Sequence, residues 1–210
     1  MTAHAGSSQL LDPSAPLTPD DSGPAPVRIV VSYGFWIFLI SDIILFSTLF
    51  AAYAVLSGQT AGGPAAHQLF DLGRVAAQTV FLLFSSYTCG LGALALERRR
   101  IAPFILCFAL TFLLGAGFLA LEITEFHGMI GAGAGPSRSA FLSAFFSLVG
   151  LHGIHVGCGL LWLAYMVAQV KARGPRPYVL RRVQCFGLFW HTLDIIWVAI
   201  MSLVYLMALR

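Results

Sequence analysis

The chain has 210 residues, of which 58% are hydrophobic and only 10% are charged. This composition leaves too little polar surface for a soluble domain of that length, so the sequence predicts a protein that crosses a membrane several times. The formal net charge of +3 is not gathered into a basic patch with interleaved aromatic residues, so no nucleic-acid partner is expected.

The first 28 residues differ in character from the rest of the chain. They are rich in Pro, Ser and Ala, and they contain no apolar run long enough for a signal peptide. We expect residues 1–28 to be a disordered tail in the aqueous phase.

Five apolar stretches follow, and each reaches the roughly 20 residues that a helix needs to cross about 30 Å of hydrocarbon. Backbone polar groups in lipid must be satisfied within their own segment, so all five are predicted to be helices and the fold class is all-α. The predicted spans are residues 34–56, 76–96, 102–123, 141–170 and 183–209. Residues 29–210 are therefore expected to form one transmembrane domain, a bundle of five helices.

The short connections carry basic residues unequally, and basic residues are retained on the cytoplasmic side. Nine of the twelve Lys and Arg side chains belong to one side: Arg28, Arg98, Arg99, Arg100, Lys171, Arg173, Arg176, Arg181 and Arg182. The other side has Arg74, Arg138 and Arg210. This asymmetry predicts a cytoplasmic N-terminus, a periplasmic C-terminus and contacts between the arginines and anionic lipid headgroups.

Acidic side chains occur in three of the predicted spans, the first, the third and the fifth. Asp42 lies inside the first, where a carboxylate must pair or form hydrogen bonds, either as a structural anchor or as a proton relay. Glu122 and Glu125 lie three residues apart at the end of the third span and are followed by His127. This group is suited to binding a cation, to pairing with basic groups of a neighbour, or to contact with water.

Two clusters of polar residues lie in spans near the end of the chain. Placing them in lipid costs free energy, so they are expected to have partners or a function. His152 and His155 share one face of the fourth helix, and His191 and Asp194 repeat that spacing on the fifth, between two tryptophans. The two helices are expected to meet along these residues. The cluster is read as a network of His, Asp, Trp190 and Trp197 that fixes helix packing, with a metal or haem site as the alternative.

Small residues mark the places where helices are expected to approach each other closely. Gly150, Gly153, Gly157 and Gly159 form a stripe on the fourth span, with GxxxG spacing between Gly153 and Gly157. The four cysteines lie within predicted spans without CxxC spacing, which favours plain packing over metal binding or redox chemistry.

Taken in order, the motifs resemble subunit III of the haem-copper terminal oxidases over almost the whole length, from Tyr33 to Leu209. The matching segments are Gly34–Phe46, Gly115–His127, Phe141–Phe146, Gly150–Val156 and Phe189–Trp197. The five-helix form is most similar to that of bacterial bo-type ubiquinol oxidases, notably in Thr60–Pro64, Leu82–Ser86 and Gly135–Ser139. Some bacterial cytochrome c oxidases also have a five-helix subunit III, so a cytochrome c oxidase is the alternative.

The resemblance implies a supporting role in a proton-pumping quinol oxidase of the bacterial inner membrane. In this family subunit I contains the haems and the copper, whereas subunit III packs against it, holds phospholipid and supports proton uptake. No catalytic residue, cofactor or metal is expected in this chain. Its expected partners are subunit I, subunit II, subunit IV and phospholipids.

The family's polar positions are matched here by Asp42, Glu122, His152, His155, His191 and Asp194. Asp42 stands where many relatives have an intramembrane Glu or Asp, and we expect it to influence proton supply to subunit I. His191 and Asp194 are expected to tie the fifth helix to its neighbours.

Two other classes of protein are compatible with single features of the sequence. A free-standing proton or solute transporter should show internal repeat symmetry, and no repeat is visible. An intramembrane metalloenzyme would use His152, His155 and His191, but helical spacing alone does not make these ligands converge.

Overall fold

The computed structural model describes residues 27–60, 72–174 and 177–206, and these residues are almost entirely helical. The five helices are α1 (Val27–Leu56), α2 (Leu72–Glu97), α3 (Ile101–Gly131), α4 (Ala140–Arg173) and α5 (Pro177–Ile200). A π-helical segment, Met201–Leu206, continues α5. All five are long and apolar enough to cross a membrane, which confirms the all-α five-span prediction.

Each helix begins before its predicted apolar core, and the second, third and fourth also end beyond it. The third differs most, because it was predicted to end at residue 123 and continues to Gly131. A run of apolar residues identifies the part of a helix that sits in lipid, whereas the helix itself ends where its backbone finds other partners. The predicted disordered tail lies outside the described residues, except for residues 27 and 28, which are helical, and residues 207–209 also lie outside them.

Local sequence explains the ends of α4. The side chain of Ser139 caps the N-terminus by accepting a hydrogen bond from the Leu142 N–H at 3.2 Å. Gly174 follows the last turn with a φ of 71°, a left-handed conformation that glycine adopts without steric cost, and its N–H donates to the Val170 carbonyl.

The helices α4 and α5 occupy the centre of the bundle. Helix α4 packs against α3, α5 and α1, and α5 packs against α4, α2 and α1, while α2 and α3 form a close pair. Helix α1 is the most peripheral, with several large apolar side chains open to its surroundings. The connections Arg98–Arg100 and the start of α5 lie at one end of the bundle, called here the arginine end.

Candidate functional site: polar residues in the membrane-spanning bundle

Four polar side chains lie near the middle of their spans. Asp42 is central in Val30–Leu56, Ser86 in Gly73–Glu97, His155 in Ala140–Ala172 and His191 in Tyr178–Tyr205. The middle of a span is the depth at which an unpaired polar group is most costly. The partners of these residues therefore decide what the bundle is able to do.

Asp42 on α1 pairs with His155 on α4. The carboxylate Oδ1 lies 3.9 Å from His155 Nε2, close enough for an ion pair and too far for a hydrogen bond. The other ring nitrogen, Nδ1, lies 2.8 Å from the Leu151 carbonyl oxygen, which only accepts hydrogen bonds, so Nδ1 carries a proton. A neutral His155 consequently presents the lone pair of Nε2 towards Asp42.

One proton can move between the two groups once a small side-chain movement closes the 3.9 Å gap to hydrogen-bond distance. The pair has zero net charge either as carboxylate and imidazolium or as carboxylic acid and imidazole. Both side chains keep some contact with the surroundings of the bundle, at 17% exposure for His155 and 12% for Asp42. Such a pair can exchange a proton without leaving a net charge in the lipid.

His152 lies one turn before His155 and is more deeply buried, although the ring of Phe46 packs against both. It is fully buried, and its ring packs between Trp197, at 5.3 Å between ring centroids, and Phe118, at 5.7 Å. Neither ring nitrogen has a hydrogen-bond partner among the described residues. The fourth and fifth helices therefore meet here through the packed rings of His152 and Trp197.

Glu122 and Glu125 are inside the bundle, with 3% and 7% exposure. The expectation of contact with water at the helix end is wrong because α3 continues beyond them to Gly131 and packs against α2 and α4. Gln78 Nε2 on α2 donates to Glu125 Oε2 at 3.4 Å. Glu122 lies against Gly153 of α4, and a β-carbon at that position would collide with the carboxylate.

The seam between α2 and α5 is held by side-chain hydrogen bonds. The indole N–H of Trp190 donates to Ser85 Oγ at 2.9 Å, and that of Trp197 donates to Thr79 Oγ1 at 3.1 Å. His191 Nδ1 lies 2.5 Å from Ser86 Oγ. Three polar residues of α5 therefore meet three hydroxyls of α2 in register.

Asp194 belongs to the same seam, one turn beyond Trp190 and His191. It is buried, and neither of its carboxylate oxygens has a hydrogen-bond partner among the described residues. The sequence analysis identified His191 but missed its partner Ser86, because a serine in an apolar helix also bonds to its own backbone and gives no distinct signal.

Trp190 also fills space that glycines leave open. Its ring lies between Gly115 of α3 and Gly159 of α4, where an added β-carbon would come within 3.1 Å and 2.8 Å of it, respectively. The other glycines of the α4 stripe face α3, with Gly150 opposite Phe126 and Gly157 opposite Leu119. The stripe therefore lies at helix contacts with α3 and α5.

The polar residues do not converge on a metal. Among the described residues, no three His, Cys, Asp or Glu side chains are grouped so that they could hold one. His155 pairs with Asp42, His191 contacts Ser86, and His152 is enclosed by aromatic rings. The described residues therefore do not form a metal site with three or more such ligands.

Comparison with known proteins identifies the family. Residues 21–209 match the family described as cytochrome c oxidase subunit III. The chain is 51% identical over 174 residues to the cytochrome bo(3) ubiquinol oxidase subunit 3 of Pseudomonas putida, covering 83% of this chain and 84% of that relative. It is 44% identical over 176 residues to the quinol oxidase subunit 3 of Bacillus subtilis, covering 84% and 86% of the two chains.

A relative with another electron donor in its name is also similar. The cytochrome c oxidase subunit 3 of Bacillus sp. (strain PS3) is 42% identical over 176 residues, covering 84% of this chain and 85% of that relative. The family match extends over nearly all of the chain, and the relatives are covered over most of their length. This chain, a multi-pass membrane protein, belongs to the oxidase subunit III family, as its ordered motifs indicated.

Proposed function

We propose that this chain is the non-redox subunit III of a bo-type ubiquinol oxidase in a bacterial inner membrane. The observation that carries the proposal is the 51% identity to a ubiquinol oxidase subunit, against 42% to the cytochrome c oxidase subunit named above. Electron transfer and oxygen reduction then belong to the partner subunits, with haems and copper in subunit I. This chain stabilises the complex that it forms with subunits I, II and IV.

Purification through a tag on this chain in mild detergent tests the proposal. We expect other oxidase subunits to co-purify with haem and copper, visible in a reduced-minus-oxidised spectrum and in metal analysis. Copper in the amount of one haem-copper centre, without a dinuclear copper site, supports the quinol oxidase. Additional dinuclear copper would indicate a cytochrome c oxidase, and a colourless chain that purifies alone, under conditions that preserve oxidase complexes, would contradict both.

Within that complex, we propose that Asp42 and His155 support proton supply to subunit I. The geometry of the pair supports this proposal. The two groups can share one proton, their summed charge is zero whichever group holds it, and both keep partial contact with the surroundings of the bundle. Uptake of a proton from outside brings the charge of the pair to +1, and passing a proton on to subunit I returns it to zero, so the partial contact of both side chains with the surroundings suits the pair to repeated uptake and release. The pair supplies protons, and oxygen reduction takes place in subunit I.

A groove at the arginine end is suited to a phospholipid. Val31 and Phe35 of α1, Trp162 of α4 and Arg181 of α5 line it. The Arg182 side chain is held by Gln169 Oε1 at 3.2 Å, whereas Arg181 forms no hydrogen bond or ion pair with another described residue. We infer that Arg181 contacts the phosphate of an anionic lipid whose acyl chain follows the aromatic wall, and that this end faces the cytoplasm.

Substitution of Arg181 by glutamine tests this lipid site. The variant keeps the length of the side chain and removes its charge, so the amount of anionic phospholipid that co-purifies with the complex should fall, by about one molecule per complex if the groove holds one. Mass spectrometry of the extracted lipid measures the change. Arg138→Gln, at the opposite end of the bundle, is the matched control, and equal lipid content in all three proteins would contradict the assignment.

A further inference from the structure

The surface formed by α2 and α5 carries a polar side chain at the middle of the membrane. His191 is exposed there, and its Nδ1 forms a hydrogen bond with the Ser86 hydroxyl. Its Nε2 forms no hydrogen bond with a described residue and is not among the buried atoms. Polar residues in spans almost always face a bundle interior or a water-filled cavity, so an exposed imidazole at this depth indicates that the bundle continues beyond this chain.

Lipid does not supply the missing partner. Acyl chains have no hydrogen-bonding groups, and headgroups lie about 15 Å from the middle of a hydrocarbon layer about 30 Å thick. Another protein segment that crosses the membrane can supply a hydrogen-bonding group to Nε2 at this depth. Such a segment is a helix, because its own backbone groups must be satisfied.

The same surface has room for a close helix contact. Gly90 lies one turn after Ser86 on α2, and Gly187 lies one turn before His191 on α5. Because the two helices run in opposite directions, both glycines lie on the same side of the contact between Ser86 and His191. A β-carbon at either glycine would have nothing within 4 Å in this chain. The two glycines thus leave a shallow depression beside His191, and small residues are what allow the backbones of two membrane helices to approach.

We propose that this α2–α5 surface binds a transmembrane helix of another subunit of the oxidase, and that this helix places an amide or hydroxyl side chain against His191 Nε2. These two side-chain classes donate and accept hydrogen bonds, so they match the ring in either tautomer. The proposal rests on the membership of the chain in a multi-subunit oxidase, and it assigns the contact to α2 and α5 rather than to the exposed face of α1.

Photo-crosslinking in native membranes tests the contact directly. Ile195, one turn beyond His191 and 71% exposed, is replaced by a benzophenone-bearing amino acid, and the adducts are identified by mass spectrometry. We expect an adduct with another oxidase subunit. Adducts with lipid alone, or with a second copy of this chain, would overturn the proposal.

Glycine variants test the depression independently of the crosslink. In Gly187→Leu and Gly90→Leu the new β-carbon meets open space within this chain, so we expect each variant to keep its level in the membrane, which immunoblotting measures. Each should lower the oxidase subunits recovered with the tagged chain by about tenfold, a change of one decade in the association constant. Gly128→Leu, also open but on α3, should recover them normally.

The outcomes separate this inference from the proposed function. Failure of the unmodified chain to recover any oxidase subunit would remove the proposed function. Normal recovery by the unmodified chain and by both glycine variants, or equal loss in all three variants, would remove the α2–α5 contact alone. His191→Leu should behave like the glycine variants and His191→Gln should restore recovery, whereas equal recovery by both would show that no hydrogen bond is made at this position.

Discussion

Substitution of Asp42 by asparagine should make the oxidase lose activity faster during sustained turnover and pump fewer protons per electron. Asparagine has the size of aspartate but cannot bind and release a proton, so the Asp42–His155 pair would no longer exchange one. We expect the initial rate to fall by less than about tenfold, because the pair supplies protons and does not touch the reacting atoms. Oxygen consumption over time and proton release from vesicles measure both effects.

Four further variants test this prediction. Asp42→Glu keeps the carboxylate and extends it towards His155 Nε2, across a gap that is now 3.9 Å, so function should be retained. His155→Gln should resemble Asp42→Asn, and the double variant should be no worse than either single one because the two groups act as a unit. Glu97→Gln, at an exposed carboxylate that accepts a hydrogen bond from Gln184, is the control. Unchanged turnover and pumping in Asp42→Asn would end the proton-supply hypothesis.

Substitution of Gly159 by alanine should destabilise the bundle by about 1–3 kcal/mol, the usual cost of overpacking a buried contact. The new methyl group would come within 2.8 Å of the Trp190 ring. That ring has no free space to move into, because it also contacts Gly115 and its N–H is fixed by Ser85 at 2.9 Å. Thermal denaturation of the purified complex and its yield from membranes measure the loss.

Gly157→Ala is the matched control, two residues away on the same helix. Its methyl group would lie 3.9 Å from Leu119, an ordinary contact, so the variant should be at least as stable as the unmodified chain. Equal stability of the two alanine variants would contradict the role given to Trp190.

Asp194→Leu tests whether the buried carboxylate of α5 is needed for assembly. Normal assembly of that variant would contradict the expectation that His191 and Asp194 tie α5 to its neighbours.

The sequence by itself determined the number of helices, the all-α fold class and the family. These properties follow from the length and apolar character of single segments and from the order of short motifs, all of which are local. It also identified Asp42, His155, His191 and Asp194 as residues that need partners, because a polar group in lipid is costly wherever its partner comes from.

Only the tertiary structure decided which residues become partners. His155 meets Asp42 of α1 and His191 meets Ser86 of α2, whereas the expected contact between the fourth and fifth helices is made by His152 and Trp197. The physical reason is that a membrane helix is apolar on all sides, so its sequence does not show which face lies against which neighbour. The burial of Glu122 was hidden for a related reason, because it depends on α3 extending to Gly131 and on the space that Gly153 leaves on α4.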